Sequence, residues 1–273
     1  MLIQDHIESI NSFLKEGFER SVFAAVVGNL NAQGSLLRIN NFAYGARELI
    51  TIILERLAPN DDVIKSPWFS EEPNMRPGLA TRRQKVQYAI YGGLTEKYVD
   101  NLYGIDVDKV VSCITSQYEE LSKYTHIREN TFGISDPENI VALEALSSLR
   151  NFFCNIYNAR EAFSEQISIS IKDIMYNEIA DNHIDAFAHL AWNTCVDDVD
   201  INDVEIDDID YGNVHCTVYG SADIELACGR SPGDSVEDTF LGYESCPFSV
   251  KATCSVIDLK DVVLEEFEMN TRY

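Results

Sequence analysis

The spacing of apolar residues changes at Thr194, and that change constrains the fold more than any motif in the chain. Before it, apolar residues recur at helical intervals. Ile3, Ile7, Ile10, Leu14 and Phe18 share one face of a helix expected to run to about Val27. Ala46, Leu49, Ile50, Ile53, Leu54 and Leu57 share one face of another. After Thr194, acids alternate with Val199, Ile201, Val204, Ile206 and Ile209 at a spacing close to two. Val214, Cys216 and Val218 follow the same rule, as do Phe248, Val250, Ala252 and Cys254. A period of two marks strands with one buried face. The expected class is therefore α+β: an N-terminal all-helical region, residues 1–193, packed with a small, mostly antiparallel β domain, residues 194–273. Four to six short strands are expected. With no Pro-rich or Gly/Ser-rich linker, the two parts are free to pack together.

Local punctuation places the elements. Gly28, Asn29, Asn31 and Gly34 read as a polar break. Asn40 or Asn41 suits an N-cap for the helix that Pro59 stops. A loop is expected from Asn60 to Gly78, pinned by the rings of Trp68 and Phe69. Thr81 and Gln84 form a T-x-x-Q capping box, and Gly92-Gly93 ends that helix. Asp106 and Asp108 open the next, which ends near His126. Ser135 and Glu138, with Pro137 in the first turn, read as a capping box for a helix through Phe153. A separate helix is expected over Ile167 to Trp192. Tyr211-Gly212-Asn213 reads as a turn and Gly229 to Asp238 as a loop.

Charge limits the partners. The net charge is −24, and residues 194–273 hold 19 Asp or Glu against four Lys or Arg. The remaining 26 acids and 17 bases leave the longer part at −9. Phosphate backbones are bound by basic surfaces, so nucleic acid has to meet a local basic patch here. No apolar run approaches the ~20 residues of a membrane span. Asp5, His6 and Glu8 interrupt the N-terminal apolar residues, an amphipathic pattern unlike a signal peptide. The expectation is a cytoplasmic protein with no membrane partner. The seven cysteines are odd in number and form no C-x-x-C pair, which fits reduced thiols rather than a zinc site.

No P-loop, G-x-S-x-G, H-E-x-x-H or dinucleotide fingerprint is present. The densest basic cluster is Arg76, Arg82, Arg83 and Lys85, at the opening of a helix, where donors and free backbone N–H groups can surround a phosphate. The alternative is a solvated helix end. Arg47 and Glu48 sit in an otherwise apolar helix, as an ion pair between helices or with Arg47 as a phosphate contact. His126 ends an amphipathic helix beside Lys123. It reads either as a helix-end partner or as a proton-transfer group, with Lys123 stabilising phosphate charge. Asp223 and Glu225 lie two apart on an expected strand and face the same side, a pair that can hold Mg²⁺. The Asp197–Asp210 acids read most simply as a solvated strand face or edge.

Several stretches together resemble a known family: Asn40 to Pro59, Trp68-Phe69, Thr81 to Leu94, Leu121 to Ile127, Tyr219 to Asp223 and Cys246-Pro247-Phe248. The chain, from about Asn29 onward, is similar to the bacterial predicted pPIWI-associating nucleases of anti-phage defence neighbourhoods. The resemblance implies a defence role and a nuclease or nuclease-like effector acting on RNA or DNA by phosphodiester hydrolysis. It places the family's polar signature on Arg47, Glu48, Thr81, Arg82, Gln84, Lys123 and His126. The ending Asn270-Thr271-Arg272-Tyr273 looks like a variant of the family's. Implied partners are other defence proteins encoded nearby, nucleic acid and a second copy of the chain. The competing class is a non-catalytic sensor or regulatory subunit. Its acidic β domain would dock a basic protein, or mimic nucleic acid in a partner's basic groove.

Overall fold

Helices fill the N-terminal part of the chain and a four-stranded antiparallel sheet the C-terminal part, in the order the spacing predicts. The computed structural model describes residues 3–32, 34–73, 76–100, 106–135, 139–182, 194–227 and 240–269, with side chains throughout except at 180–182, 194–197, 224–227 and 240–244. The chain divides into two compact units: Met1–Gly92 with Glu96–Ala162, and Gly93–Thr95 with Phe163–Tyr273. Among the described residues no helix is long and apolar enough to cross a membrane.

The first unit begins with α1 (Ile3–Asn11) and α2 (Phe18–Leu30) rather than one helix to Val27. Gly17 breaks the run with a φ of 85°, a conformation natural to glycine. The Glu19 carboxylate then accepts the Lys15 N–H at 2.8 Å, fixing the re-entry into α2. Apolar spacing alone carries no trace of that break. The expected polar break at Gly28 also moves, because α2 continues to Leu30.

Helix α3 (Arg38–Leu57) buries Ile39, Phe42, Ala46, Leu49, Ile50 and Ile53. Its N-cap is Leu37, without a side-chain cap; Asn40 and Asn41, either of which was expected as the cap, lie inside the helix, and Asn40 is buried. The stretch after Pro59 holds a short helix, α4 (Asn60–Val63), where only loop was expected. Asn60 then closes that segment, donating to the Gly78 carbonyl at 2.9 Å and accepting from the Ala80 N–H at 2.9 Å. Trp68 pins it as expected: Nε1 donates to the Gly92 carbonyl at 2.9 Å, and the ring meets Tyr91 edge-on. Helix α5 (Arg82–Tyr91) starts on Thr81 and Gln84, with both halves of the capping box formed. Short α6 (Glu96–Val99) follows, then α7 (Val107–Thr125), capped by Asp106.

Helix α8 (Ile140–Asn182) is one helix of 43 residues, where a break before Ile167 was expected. No Gly or Pro interrupts its sequence, so nothing local ends it. The boundary between the two units falls inside it. The expected capping residues Pro137 and Glu138 lie outside the described residues, as does the end of the second predicted helix.

The second unit holds β1 (Thr194–Ile209), β2 (Asn213–Ala227), β3 (Phe240–Ser255) and β4 (Val262–Met269), paired in sequence order. Four strands meet the expected count, and the first three, at 16, 15 and 16 residues, are longer than the short runs suggest. Register shifts at Val196/Asp198, Ile201/Asp203 and Ile206/Asp208 leave Asp197, Asn202 and Asp207 as extra residues, one every five positions. These bulges explain the spacing of two, then three, between Val199, Ile201, Val204, Ile206 and Ile209. Each added residue would flip the following side chains, and each bulge restores the apolar face. Lys172 of α8 donates to the carbonyl of the bulge residue Asn202 at 2.8 Å. Val199, Val204, Val214, Val218, Val250 and Cys254 are buried here. So is an α8 stripe of Phe163, Ile167, Ile171, Met175 and Ile179. The Tyr211-Gly212 turn forms as expected, with Asp210 Oδ1 accepting the Gly212 and Asn213 N–H groups. The expected Gly229–Asp238 loop lies outside the described residues.

Candidate functional site

Helices α3, α5 and α7 pack against one another. Three short contacts lock the C-terminal end of α7 along α3. Asn40 Nδ2 donates to the Tyr124 carbonyl at 2.7 Å, and Arg47 Nη1 donates to Thr125 Oγ1 at 3.1 Å. The Arg47 guanidinium also lies 4.7 Å from the centroid of the Tyr118 ring. Arg82, the first residue of α5, reaches the same ring. Its guanidinium carbon lies 3.4 Å from the centroid, and Nη2 donates to the Tyr118 hydroxyl at 2.7 Å. Two cations therefore share one tyrosine. The capping box explains the placement of Arg82, because Thr81 and Gln84 set where α5 starts and which way its first residue points.

The electrostatics are unbalanced. Neither arginine has a carboxylate within ion-pair distance among the described residues. Partial desolvation against the ring lowers the Arg82 pKa; Tyr118 opposes that, and the Arg47 charge adds to it. Cation–π contact is worth about 0.5–2 kcal/mol per cation, which offsets part of the repulsion without neutralising either charge. Buried Arg47 Nε and Asn40 Oδ1 have no hydrogen-bond partner. Arg82 is partly exposed and Arg47 half-buried, so solvent reaches the pair from the Arg82 side.

The other expected cations are neutralised or lie elsewhere. Arg83 pairs with Asp108 at 2.6 Å and donates to Ser112, bridging α5 to α7. Lys85 pairs with Glu55 of α3. Lys123 is exposed and held by Glu120 at 2.5 Å. Arg76 is exposed in the loop before α5, and Glu48 is exposed on α3. His126 caps α7 and is exposed; its carbonyl accepts from Thr131 Oγ1 at 2.6 Å, which fixes the backbone there. The fold thus brings together Arg47, Arg82 and Thr125, the neighbour of His126. Lys123, Arg83 and Lys85 are committed to carboxylates.

Asp223 is exposed on β2, opposite Asp198 of β1 and Ser245 of β3. The Glu225 side chain lies outside the described residues. Among the described residues no three His, Cys, Asp or Glu side chains stand together as a metal site.

Sequence reasoning missed Tyr118, Thr125 and Asn40 as parts of this cluster. Tyr118 follows Ile114 and precedes Leu121 on the buried stripe of α7, so its spacing reads as core. Its hydroxyl and ring face were the available signal, since a buried tyrosine needs a polar partner.

Neither curated proteins nor solved structures include a match to this chain. Two family models match it, over residues 11–150 and 156–272, and both describe a predicted pPIWI-associating nuclease. Together they span both units, and the chain belongs to the predicted pPIWI-associating nuclease family.

Proposed function

We propose that the chain is a nuclease-like effector of anti-phage defence that holds a nucleic-acid phosphate between Arg47 and Arg82. Family membership supports the nuclease-like role. The observation that carries the placement is the uncompensated guanidinium pair on Tyr118. A phosphate oxygen entering there relieves the repulsion between the two cations and gains charge-assisted hydrogen bonds. His126, next to the Arg47 partner Thr125, carries the imidazole that would transfer the proton. Lys123 would have to leave Glu120 to take part.

Labelled single-stranded RNA and DNA, incubated with the protein with and without Mg²⁺, test this reading. Arg82→Ala and Arg47→Ala are each expected to slow cleavage about 100-fold or more, the usual scale for removing one charge-stabilising donor. Cleavage by both variants at the parent rate would remove the site. His126→Ala is expected to slow cleavage with nucleic-acid binding unchanged; equal rates would end the proton-transfer role. Loss of Mg²⁺-dependent cleavage in Asp223→Ala alone would move the chemistry to the sheet.

A second reading rests on the exposed acids Asp200, Asp203, Glu205 and Asp208 of β1 with Glu265 and Glu268 of β4. It gives the sheet a docking role for a basic protein. Such a complex is expected to dissociate as ionic strength rises, and salt-independent association would refute it.

A further inference from the structure

We infer that the Arg47–Arg82 pair takes the terminal phosphomonoester of a nucleic-acid strand, with the end base resting on Tyr44. The inference rests on the phosphate site proposed above and names its ligand. Charge is the first argument. Two guanidinium groups with no carboxylate among the described residues match a dianion. A terminal phosphomonoester carries nearly two negative charges at neutral pH, whereas an internal phosphodiester carries one. The surrounding cations add little, because Arg83, Lys85 and Lys123 are each occupied by a carboxylate.

The second argument is the rest of the molecule. A net charge of −24 repels a long polyanion. A duplex or an extended strand is held by a track of phosphate contacts, and the neutralised cations beside this pair do not form one. A chain end presents the most charge in the smallest volume. It therefore gains most from a compact dication and suffers least from the acidic surroundings.

The third argument is Tyr44. Asn40, Tyr44 and Arg47 fall at i, i+4 and i+7 on α3 and so share one face. Asn40 and Arg47 both bond the end of α7 from that face. Tyr44 lies between them and is 61% exposed. An exposed tyrosine next to a phosphate cradle is a stacking platform, and stacking on an aromatic is tolerant of sequence. The arrangement would read an end without reading its base.

Fluorescence anisotropy with the full chain tests this. The probes are short single-stranded oligonucleotides of one sequence, as RNA and as DNA, ending in a 5′-phosphate, a 3′-phosphate or hydroxyls only. One phosphorylated end is expected to bind at least ~10-fold tighter than the hydroxyl-ended strand, and the two phosphorylated probes show which end is taken. The preference is expected to shrink as pH falls through about 6, where the monoester dianion takes up a proton and drops to a single charge. The salt dependence of the preferred probe is expected to be shallow, with a log–log slope of about −0.7, as for one phosphate neutralised on a single strand. Arg47→Met and Arg82→Met are expected to erase the preference, and Tyr44→Ala to weaken all probes several-fold. Equal binding of phosphorylated and hydroxyl-ended strands, with both Arg variants weakened, overturns the terminal-phosphate inference and leaves the phosphate site standing. Binding of every probe that is unaffected by Arg47→Met and Arg82→Met, or no binding at all, overturns both.

Discussion

Replacing Glu19 with Gln tests the polar clamp that joins the first three helices. Glu19 is 6% exposed, one of few buried charged residues among those described. Its Oε1 accepts from Arg56 Nε at 2.7 Å, and its Oε2 from Arg56 Nη2 at 3.3 Å and from the Lys15 N–H. Arg56 also reaches the Phe13 carbonyl. Burial pushes the Arg56 pKa down, but hydrogen bonds to Glu19 and Tyr157 outweigh it and leave the guanidinium above its ordinary value. Glutamine keeps the shape and one carbonyl acceptor. It removes the charge and puts a donor where Oε2 accepted. Side-chain exposures of 21% for Arg56 and 8% for Glu19 place the pair near the buried limit. Stranding one partner of a buried pair costs about 3–5 kcal/mol, whereas an exposed pair is worth about 1 kcal/mol or less. The retained acceptor argues for the lower end, about 3 kcal/mol. Urea unfolding followed by circular dichroism measures it, with the transition fitted by unit should the two unfold separately. In a double-mutant cycle with Arg56→Met, removal of both charges is expected to recover much of the loss. A single-variant loss under ~1 kcal/mol at unchanged m-value would refute the argument and make the clamp equivalent to a surface contact.

Three further outcomes are expected. Gly220→Ala puts a Cβ against the Phe248 ring and the Asp200 carbonyl. Overpacking of that kind costs about 1–3 kcal/mol, so a variant as stable as the parent in urea would show that the sheet yields there. Thr81→Ala removes one arm of the α5 capping box and is expected to cost about 1 kcal/mol and to weaken anion binding through Arg82; unchanged binding would separate the cap from the site. Asp210 is pushed up by desolvation, but bonds from His215, Gly212 and Asn213 outweigh that and hold it below its ordinary value. Its contribution is therefore present above pH ~4 and is lost as pH falls through the lowered pKa. Asp210→Ala is expected to cost about 1–2 kcal/mol at pH 7 and to flatten the acid limb of the stability profile. An acid limb identical to the parent's would refute the sign.

Much of this fold is legible in the chain, and the legible parts share a cause. The capping box at Thr81 and Gln84, the stop at Gly92 and the turn at Tyr211-Gly212 are all made by residues within a few positions of one another. The failures have the opposite cause. The apolar spacing runs through the break between α1 and α2, and Gly17 is a weak local signal; the carboxylate that holds the break, Glu19, is itself anchored by Arg56 from α3. The cap expected at Asn40 or Asn41 is displaced because the helix starts earlier, at Arg38, and turns Asn40 inward, where its Nδ2 donates to the Tyr124 carbonyl, 84 positions away.

The sequence by itself determined the order of helices and then sheet, and which faces are buried: the change of period at Thr194 separates helices from sheet, and the two-then-three spacing of β1 encodes its bulges. Family membership was also readable from its stretches. Only the tertiary structure decided which cations remain free. Arg82, Arg83 and Lys85 look alike in a row, yet Arg83 and Lys85 meet Asp108 and Glu55, while Arg82 meets Tyr118 beside Arg47. Local spacing states how an element faces its neighbours along the chain. A charge is neutralised or left bare by whatever the packing of α3, α5 and α7 brings opposite it, and the members of the Arg47, Arg82 and Tyr118 cluster come from three separate helices.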